Sequence, residues 1–288
     1  MKAIYKRELK SYFTSMTAPL FIAVLVLIMG IYFMVYNMRY GYPYFSYTLG
    51  SILFVFTITI PVLTMRSMSE ERRQKTDQLL LTSPVTVGEM VCGKFFAIIT
   101  VVAIPCLIFC LCPLIIKSTG NAYLLVDYSS ILAFFLIGCV YVSIGMLISS
   151  MTESVILAAV GTIGILILLT LTSGLSSFLP EAAFPSFLGC CAVLTAAVII
   201  CYLMSKNWVL AGGIELAGLI VMTGLYLIQP DLYENILPNM IDHLAITDIY
   251  YNFSQYYTFD VAGIVKLLSV TAVCLFLTVQ VVQKRRWS

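Results

Sequence analysis

Residues 66–94 read RSMSEERRQKTDQLLLTSPVTVGEMVCGK, the one long polar interruption between apolar runs in a chain of 288 residues. The segment carries both signs of charge densely, although the whole chain is 61% hydrophobic and only 10% charged, against roughly 25% charged in ordinary globular domains. An apolar run at 49–65 delivers the chain into it, and another from Phe95 takes the chain away. Nearly uncharged stretches recur on both sides, each close to the ~20 residues that a helix needs to cross ~30 Å of hydrocarbon. The fold class is therefore an all-α, polytopic helical membrane protein. Its charged segment hangs between spans, where a soluble partner can grip it.

Working outward, spans are expected at 18–36, 49–65, 95–116, 131–150, 154–174, 186–204, 208–228 and 262–282, eight in all. Basic residues set their orientation, because short cytoplasmic loops carry the excess of Lys and Arg. Lys2, Lys6, Arg7 and Lys10 precede the first span, and Arg66, Arg72, Arg73, Lys75 and Lys94 lie between the second and third. Lys206 follows the sixth, and Lys284, Arg285 and Arg286 come last. With eight spans all of these share one side, leaving Arg39, Lys117 and Lys266 on the other with acids such as Asp127, Glu181, Asp231 and Asp260. Both termini are expected in the cytoplasm. The basic start and first apolar run lack an A-x-A site and read as an uncleaved anchor. A net charge of +2 gives no reason to expect nucleic acid.

Residues 1–15 interleave Ile4, Tyr5, Leu9, Tyr12 and Phe13 with lysines and Arg7. Positions 5, 9, 12 and 13 share a helical face, so an interfacial helix against membrane lipid is expected. The loop MRYGYPYFSYT after the first span suits an aromatic belt. Residues 229–260 hold Pro230, Pro238 and an aromatic cluster, and are expected to form an external cap. A tight SSMTES hairpin (Ser149–Ser154) carries Glu153, and Ser154, Ala158 and Thr162 then recur at i, i+4 and i+8 near Gly161 and Gly164, a close-packing pattern in lipid.

Little in the chain suggests chemistry of its own. Residues 88–94, GEMVCGK, match a phosphate-loop pattern superficially, but Phe95 stands where the Mg²⁺-binding Ser/Thr belongs and the segment opens a span. His243 is the only histidine, and there is no HExxH or GxSxG. No catalytic residue, metal site or bound cofactor is expected. The nine cysteines lie mostly in apolar runs without metal spacing and read as packing residues. Glu215, after Gly212 and Gly213, is the intramembrane candidate, since a carboxylate in a span is costly without a partner or water. Snorkelling, or pairing with Lys206, is the structural alternative.

Helix punctuation divides the opening segment. Arg66 to about Leu81 is expected to be helical, with Glu71 and Lys75 paired at i,i+4 and Leu79, Leu80 and Leu81 as an apolar knob. Thr82-Ser83-Pro84 stops that helix, and Thr86-Val87-Gly88-Glu89 is a capping box that starts the next.

Glu71, Arg72, Thr76, Leu79, Leu80, Thr82, Pro84, Val85, Glu89, Gly93 and Lys94 together resemble the type-2 ATP-binding-cassette exporter permeases, especially the gliding-motility and NosY-like branch. The final FLTVQVVQKRRW and the SSMTES hairpin are similar to that branch too. The resemblance covers the first 170 residues and the last 30 or so; from about 175 to 260 the chain departs from it. It implies a six-helix permease core with the sixth and seventh spans as an inserted pair. It further implies two copies of a cytoplasmic ABC ATPase that bind ATP and Mg²⁺, and a second permease, identical or different, in a bacterial cytoplasmic membrane. Residues 66–94 would then be the coupling region and 1–15 the connecting helix. Glu70, Glu71, Arg72, Arg73, Thr76, Leu79, Leu80, Thr82, Pro84 and Glu153 would contact the ATPase.

Two rivals share the same spans. An ion-gradient transporter would want paired intramembrane charges and inverted repeats, for which only Glu215 is a candidate. A non-transporting scaffold would also use a docking segment. The apolar spans favour a lipid, apolar peptide or amphiphile over a small ion as substrate.

Overall fold

The computed structural model describes residues 1–75, 86–175, 178, 182–205, 215, 217–219, 222–224, 226, 233–236, 238–240, 245–255 and 259–286. Among them the regular structure is helical and no strand occurs. The chain separates into two compact units, Met1–Thr170 with Ile246–Ser288, and Leu171–Ala245.

In the larger unit α1 (Lys2–Thr14) leads into α2 (Thr17–Phe33), whose last turns widen into a π-helix at Met34–Arg39. Next come α3 (Phe45–Ser51), α4 (Leu53–Thr64) and α5 (Arg66–Arg73). Then follow α6 (Val87–Phe109), α7 (Cys112–Thr119), α8 (Leu124–Met151) and α9 (Val155–Leu175), whose last five residues belong to the smaller unit. After the smaller unit, the chain returns through α11 (Thr247–Ser254) and α12 (Val261–Arg286). Among the described residues five stretches are long and apolar enough to cross a membrane: Thr17–Arg39, Val87–Ser118, Leu124–Met151, Val155–Thr172 and Val261–Lys284. A sixth is formed if Phe45–Ser51 and Leu53–Arg73, bent by 53°, count as one span.

α8 is the axis of the larger unit, and α3, α4, α5, α6, α11 and α12 all pack on it. Small residues allow the closest approach. A Cβ on Gly138 would meet Phe56 Cζ at 2.8 Å, and one on Gly145 would overlap Thr64 Oγ1. Phe56 stacks on Phe134 with centroids 4.3 Å apart. Without a hydrophobic drive between helices in lipid, such packing supplies the association energy.

The tyrosine-rich end is tied by polar caps. Asn37 donates from Nδ2 to Tyr42 O at 2.8 Å and Tyr44 O at 3.2 Å, and its Oδ1 accepts from Thr48 Oγ1 at 2.6 Å. Asp127, expected in an external loop, lies instead in the first turn of α8 and is fully buried. Its Oδ1 accepts from Phe45 N and Ser46 N at 2.9 and 3.1 Å, capping α3. Tyr250 is buried as well, and its hydroxyl donates to Ser46 O.

Other expectations need correction. Helix at the second expected span begins at Phe45 rather than at residue 49 and is bent at Ile52, whose N–H makes an i→i−3 bond to Leu49 O. On α1 the inward face is Ile4, Tyr5, Glu8, Leu9 and Tyr12, while Phe13 is exposed. In α9, Ala158 and Thr162 are buried as the spacing requires, with Gly161 close to Ile148, but Gly164 has nothing within 4 Å.

In the smaller unit α10 (Ala183–Ser205) coincides with the sixth expected span. Phe187, Tyr226 and Tyr233 form a ring cluster, with the first pair 4.8 Å apart. Glu215 is helical and half-buried. Lys206, Gly212, Gly213 and His243 lie outside the described residues.

Candidate functional site

The charged residues of three helices meet at one end of the bundle. α5 continues α4 with only Met65 between them, so Arg66, Glu70, Glu71, Arg72 and Arg73 project from the same rod that ends the second span. α6 begins beside it. Thr86 caps it by accepting from Glu89 N at 3.3 Å, as the capping box predicts. α1 lies along the first turns of α6 because Gly93 leaves room: a Cβ there would stand 3.3 Å from Ile4 Cγ2. Tyr5 and Thr100 hydroxyls hydrogen-bond at 3.1 Å further up the same seam.

Lys94 sits at the centre, its side chain 2% exposed. Its ammonium donates to Ser67 O at 2.8 Å and meets Glu71 at 2.8 Å and Glu8 at 3.4 Å. Arg7 closes the ring, with Nη2 reaching Glu8 Oε1 at 2.7 Å and Glu71 Oε1 at 2.9 Å. The bond to Glu8 is the first cause that holds the Arg7 pKa above its ordinary value. Beneath the ring, burial pushes the Tyr12 phenol pKa upward, aided by Glu8, Glu71 and Glu70. A buried cation shared by two carboxylates is the arrangement in which charges pay their own desolvation only jointly.

A second tie joins α5 to the α8–α9 hairpin. Ser149 Oγ accepts from Met68 N and Ser69 N at 3.2 and 3.1 Å and donates to Met65 O at 3.1 Å. Arg72 Nη2 then bridges to Glu153 at 3.0 Å. So of the residues singled out in the sequence, the structure brings Glu71, Arg72 and Glu153 into one connected surface, with Glu70 alongside at 3.9 Å from Arg66. Arg73 is exposed at the end of α5. Thr76, Leu79, Leu80, Thr82 and Pro84, with the leucine knob, lie outside the described residues.

The expected Glu71–Lys75 pair does not form. α5 stops at Arg73, Lys75 turns into the left-handed region at φ 56°, and the Glu71 carboxylate is committed to Lys94 and Arg7. Sequence reasoning also missed Arg7 and Glu8 as site residues, and gave Lys94 and Ser149 only as members of the 66–94 segment and the 149–154 hairpin. One signal was available, since Glu8 is the lone acid in a basic N-terminal helix. Lys94, the lysine of the phosphate-loop-like GEMVCGK, lies inside α6 and is paired with Glu71 and Glu8. Among the described residues no group of three or more His, Cys, Asp or Glu could hold a metal.

A family model described as ABC-2 family transporter protein matches residues 2–282. The chain therefore belongs to the ABC-2 transporter family. It is a multi-pass membrane permease component of an ABC transporter, a class of subunit that works with a cytoplasmic ABC ATPase and is generally not catalytic itself. No curated protein matches the chain.

Proposed function

We propose that the charged end faces the cytoplasm and is where ATP hydrolysis, carried out with Mg²⁺ on two copies of a separate ATPase, is coupled to export through this permease. The observation that carries this reading is the Arg72–Glu153 bridge with the Ser149 clamp behind it. These join the two segments that family resemblance assigns to ATPase contact, although about 80 residues separate them. Closure of the ATPases would move one surface rather than two independent loops. The ring around Lys94 would pass that movement to α1 and α6.

Parity of the crossings bears on orientation and span count. α1, α5 and the α8–α9 hairpin cluster together, while Asp127, α3 and α11 mark the opposite end. α9 leaves the charged end with 21 residues, enough for roughly 31 Å, and Ile246 returns at the tyrosine-rich end. Zero or two crossings must intervene. Two would give eight spans, an inserted pair on a six-span core, and both termini in the cytoplasm by the positive-inside rule. A second permease, identical or different, would complete the translocation path in a bacterial cytoplasmic membrane. The NosY-like branch is the likeness we favour within the family.

A charge swap tests the coupling. Arg72→Glu should lower permease-stimulated ATPase turnover by about fivefold or more. It should cost the permease about 1–3 kcal/mol, because Glu153 is exposed but the Arg72 side chain is only 20% exposed, so turnover is compared between samples of equal folded content. Adding Glu153→Arg to the same chain should restore turnover. Wild-type stimulation in both single variants would remove the coupling assignment.

A further inference from the structure

A cleft of about 480 Å³ opens between α1 and the α4–α5 junction. We propose that it holds one phospholipid with a primary-amine headgroup, of the phosphatidylethanolamine class. The inference rests on depth and on charge, and does not depend on the coupling reading.

Depth comes first. Thr17, the first residue of a span, and Val62 and Leu63, in the last turn of α4, form the floor of the cleft. Val62 is 44% exposed and offers apolar surface for an acyl chain. Arg66 and Glu70 stand one and two turns further along the same rod, a rise of roughly 5 Å per turn. The wall thus changes from apolar to charged over the height at which a lipid changes from chain to headgroup.

The charges are separated and balanced. Lys94 is spent on Glu71 and Glu8. Arg7 makes both its ion pairs through Nη2, although a guanidinium has five N–H donors. Arg66 is half-exposed and no nearer to Glu70 than 3.9 Å. Two guanidinium groups suit a phosphodiester, which they bind by paired N–H donors. Ser11 and Ser15 add hydroxyls on the α1 wall. Glu70, whose other side-chain contact among the described residues is Gln74 at 3.5 Å, is placed to receive an ammonium. A choline headgroup has no N–H to give it, and a glycerol headgroup has no positive charge. An anionic lipid would satisfy the guanidinium groups and leave Glu70 unpaired by the headgroup.

Native mass spectrometry of the full-length permease in detergent, titrated with phosphatidylethanolamine, phosphatidylcholine or phosphatidylglycerol, tests this. One phosphatidylethanolamine should be retained roughly tenfold better than either of the others. Glu70→Gln should erase the advantage over phosphatidylcholine, and Arg66→Gln should weaken retention of all three. Lys2→Gln, on the exposed face of α1, is the folded control and should behave as wild type. Equal retention of the three lipids, or unchanged selectivity in Glu70→Gln, would overturn the proposal. Displacement by millimolar inorganic phosphate would identify a soluble anion site, and displacement by the ATPase subunit would assign the cleft to the protein partner; either result also overturns it.

Discussion

Lys94→Met removes the ammonium on which α1, α5 and α6 converge and leaves a side chain of similar length. Three contacts disappear, to Ser67 O at 2.8 Å, Glu71 at 2.8 Å and Glu8 at 3.4 Å. Stripping one partner from a buried ion pair costs about 3–5 kcal/mol. Arg7 remains 2.7 Å from Glu8 and 2.9 Å from Glu71, so the low end of that range, about 3 kcal/mol, applies. For a chain of this size that corresponds to a fall in Tm of roughly 6–12 °C. A thiol-reactive dye can read the transition in detergent, because Cys106, Cys112 and Cys139 are free and buried until the bundle opens. Glu71→Gln should cost less than Lys94→Met. The double variant should fall short of the sum by about 1–2 kcal/mol, since the two changes remove one shared interaction. A Tm for Lys94→Met within about 1 °C of wild type, or strictly additive costs, would show that the ring is not a structural junction.

Three further predictions concern the fold. Gly145→Ala drives a methyl into Thr64 and should cost about 1–3 kcal/mol, with Thr64→Ala in the same chain recovering part of it in the dye assay. Asp127→Ala removes the acceptor that caps α3 through Phe45 N and Ser46 N and should cost about 1–2 kcal/mol, whereas Asp127→Asn, which keeps an oxygen, should cost less. Asp260 accepts from Gly263 N at 2.8 Å and Asn252 Nδ2 at 2.9 Å, and these bonds hold its carboxyl below the ordinary aspartate range. Its contribution is therefore fully present above pH ~4 and is lost as the pH falls through the lowered value. Asp260→Asn should flatten the acid limb of a Tm-versus-pH curve, and an unchanged limb would refute the assignment.

The local features of this chain were legible because local chemistry sets them. The uncharged runs announce helices that cross lipid, Thr86 and Glu89 announce the start of α6, and the six residues of the hairpin leave no room for anything but a tight turn. Pairings over long sequence distances were not legible. Lys94 meets residues 8 and 71 only because Gly93 lets α1 lie against α6 and because α5 follows α4 without a turn. Glu71 and Lys75 have the right spacing for a pair, yet a nearer cation took the carboxylate and the helix ended first. Asp127 looks like a loop acid in a list of charges. Only the fold reveals that the exposed N–H groups at the start of α3 lie in front of it.

The continuity of α4 and α5 has a mechanical consequence. Leu53–Arg73 is a single stiff rod with its bend at Ile52, about 30 Å from tip to elbow. A displacement of about 3 Å at Arg72 would rotate such a lever by roughly 6°. Pro61, which interrupts the hydrogen bonding inside the rod, would take up part of the rotation, while Gly138 and Gly145 keep the rod against α8 and pass on the rest of it. It would be delivered at the elbow, on the far side of the bundle, where Asp127 grips the next short helix by two backbone amides.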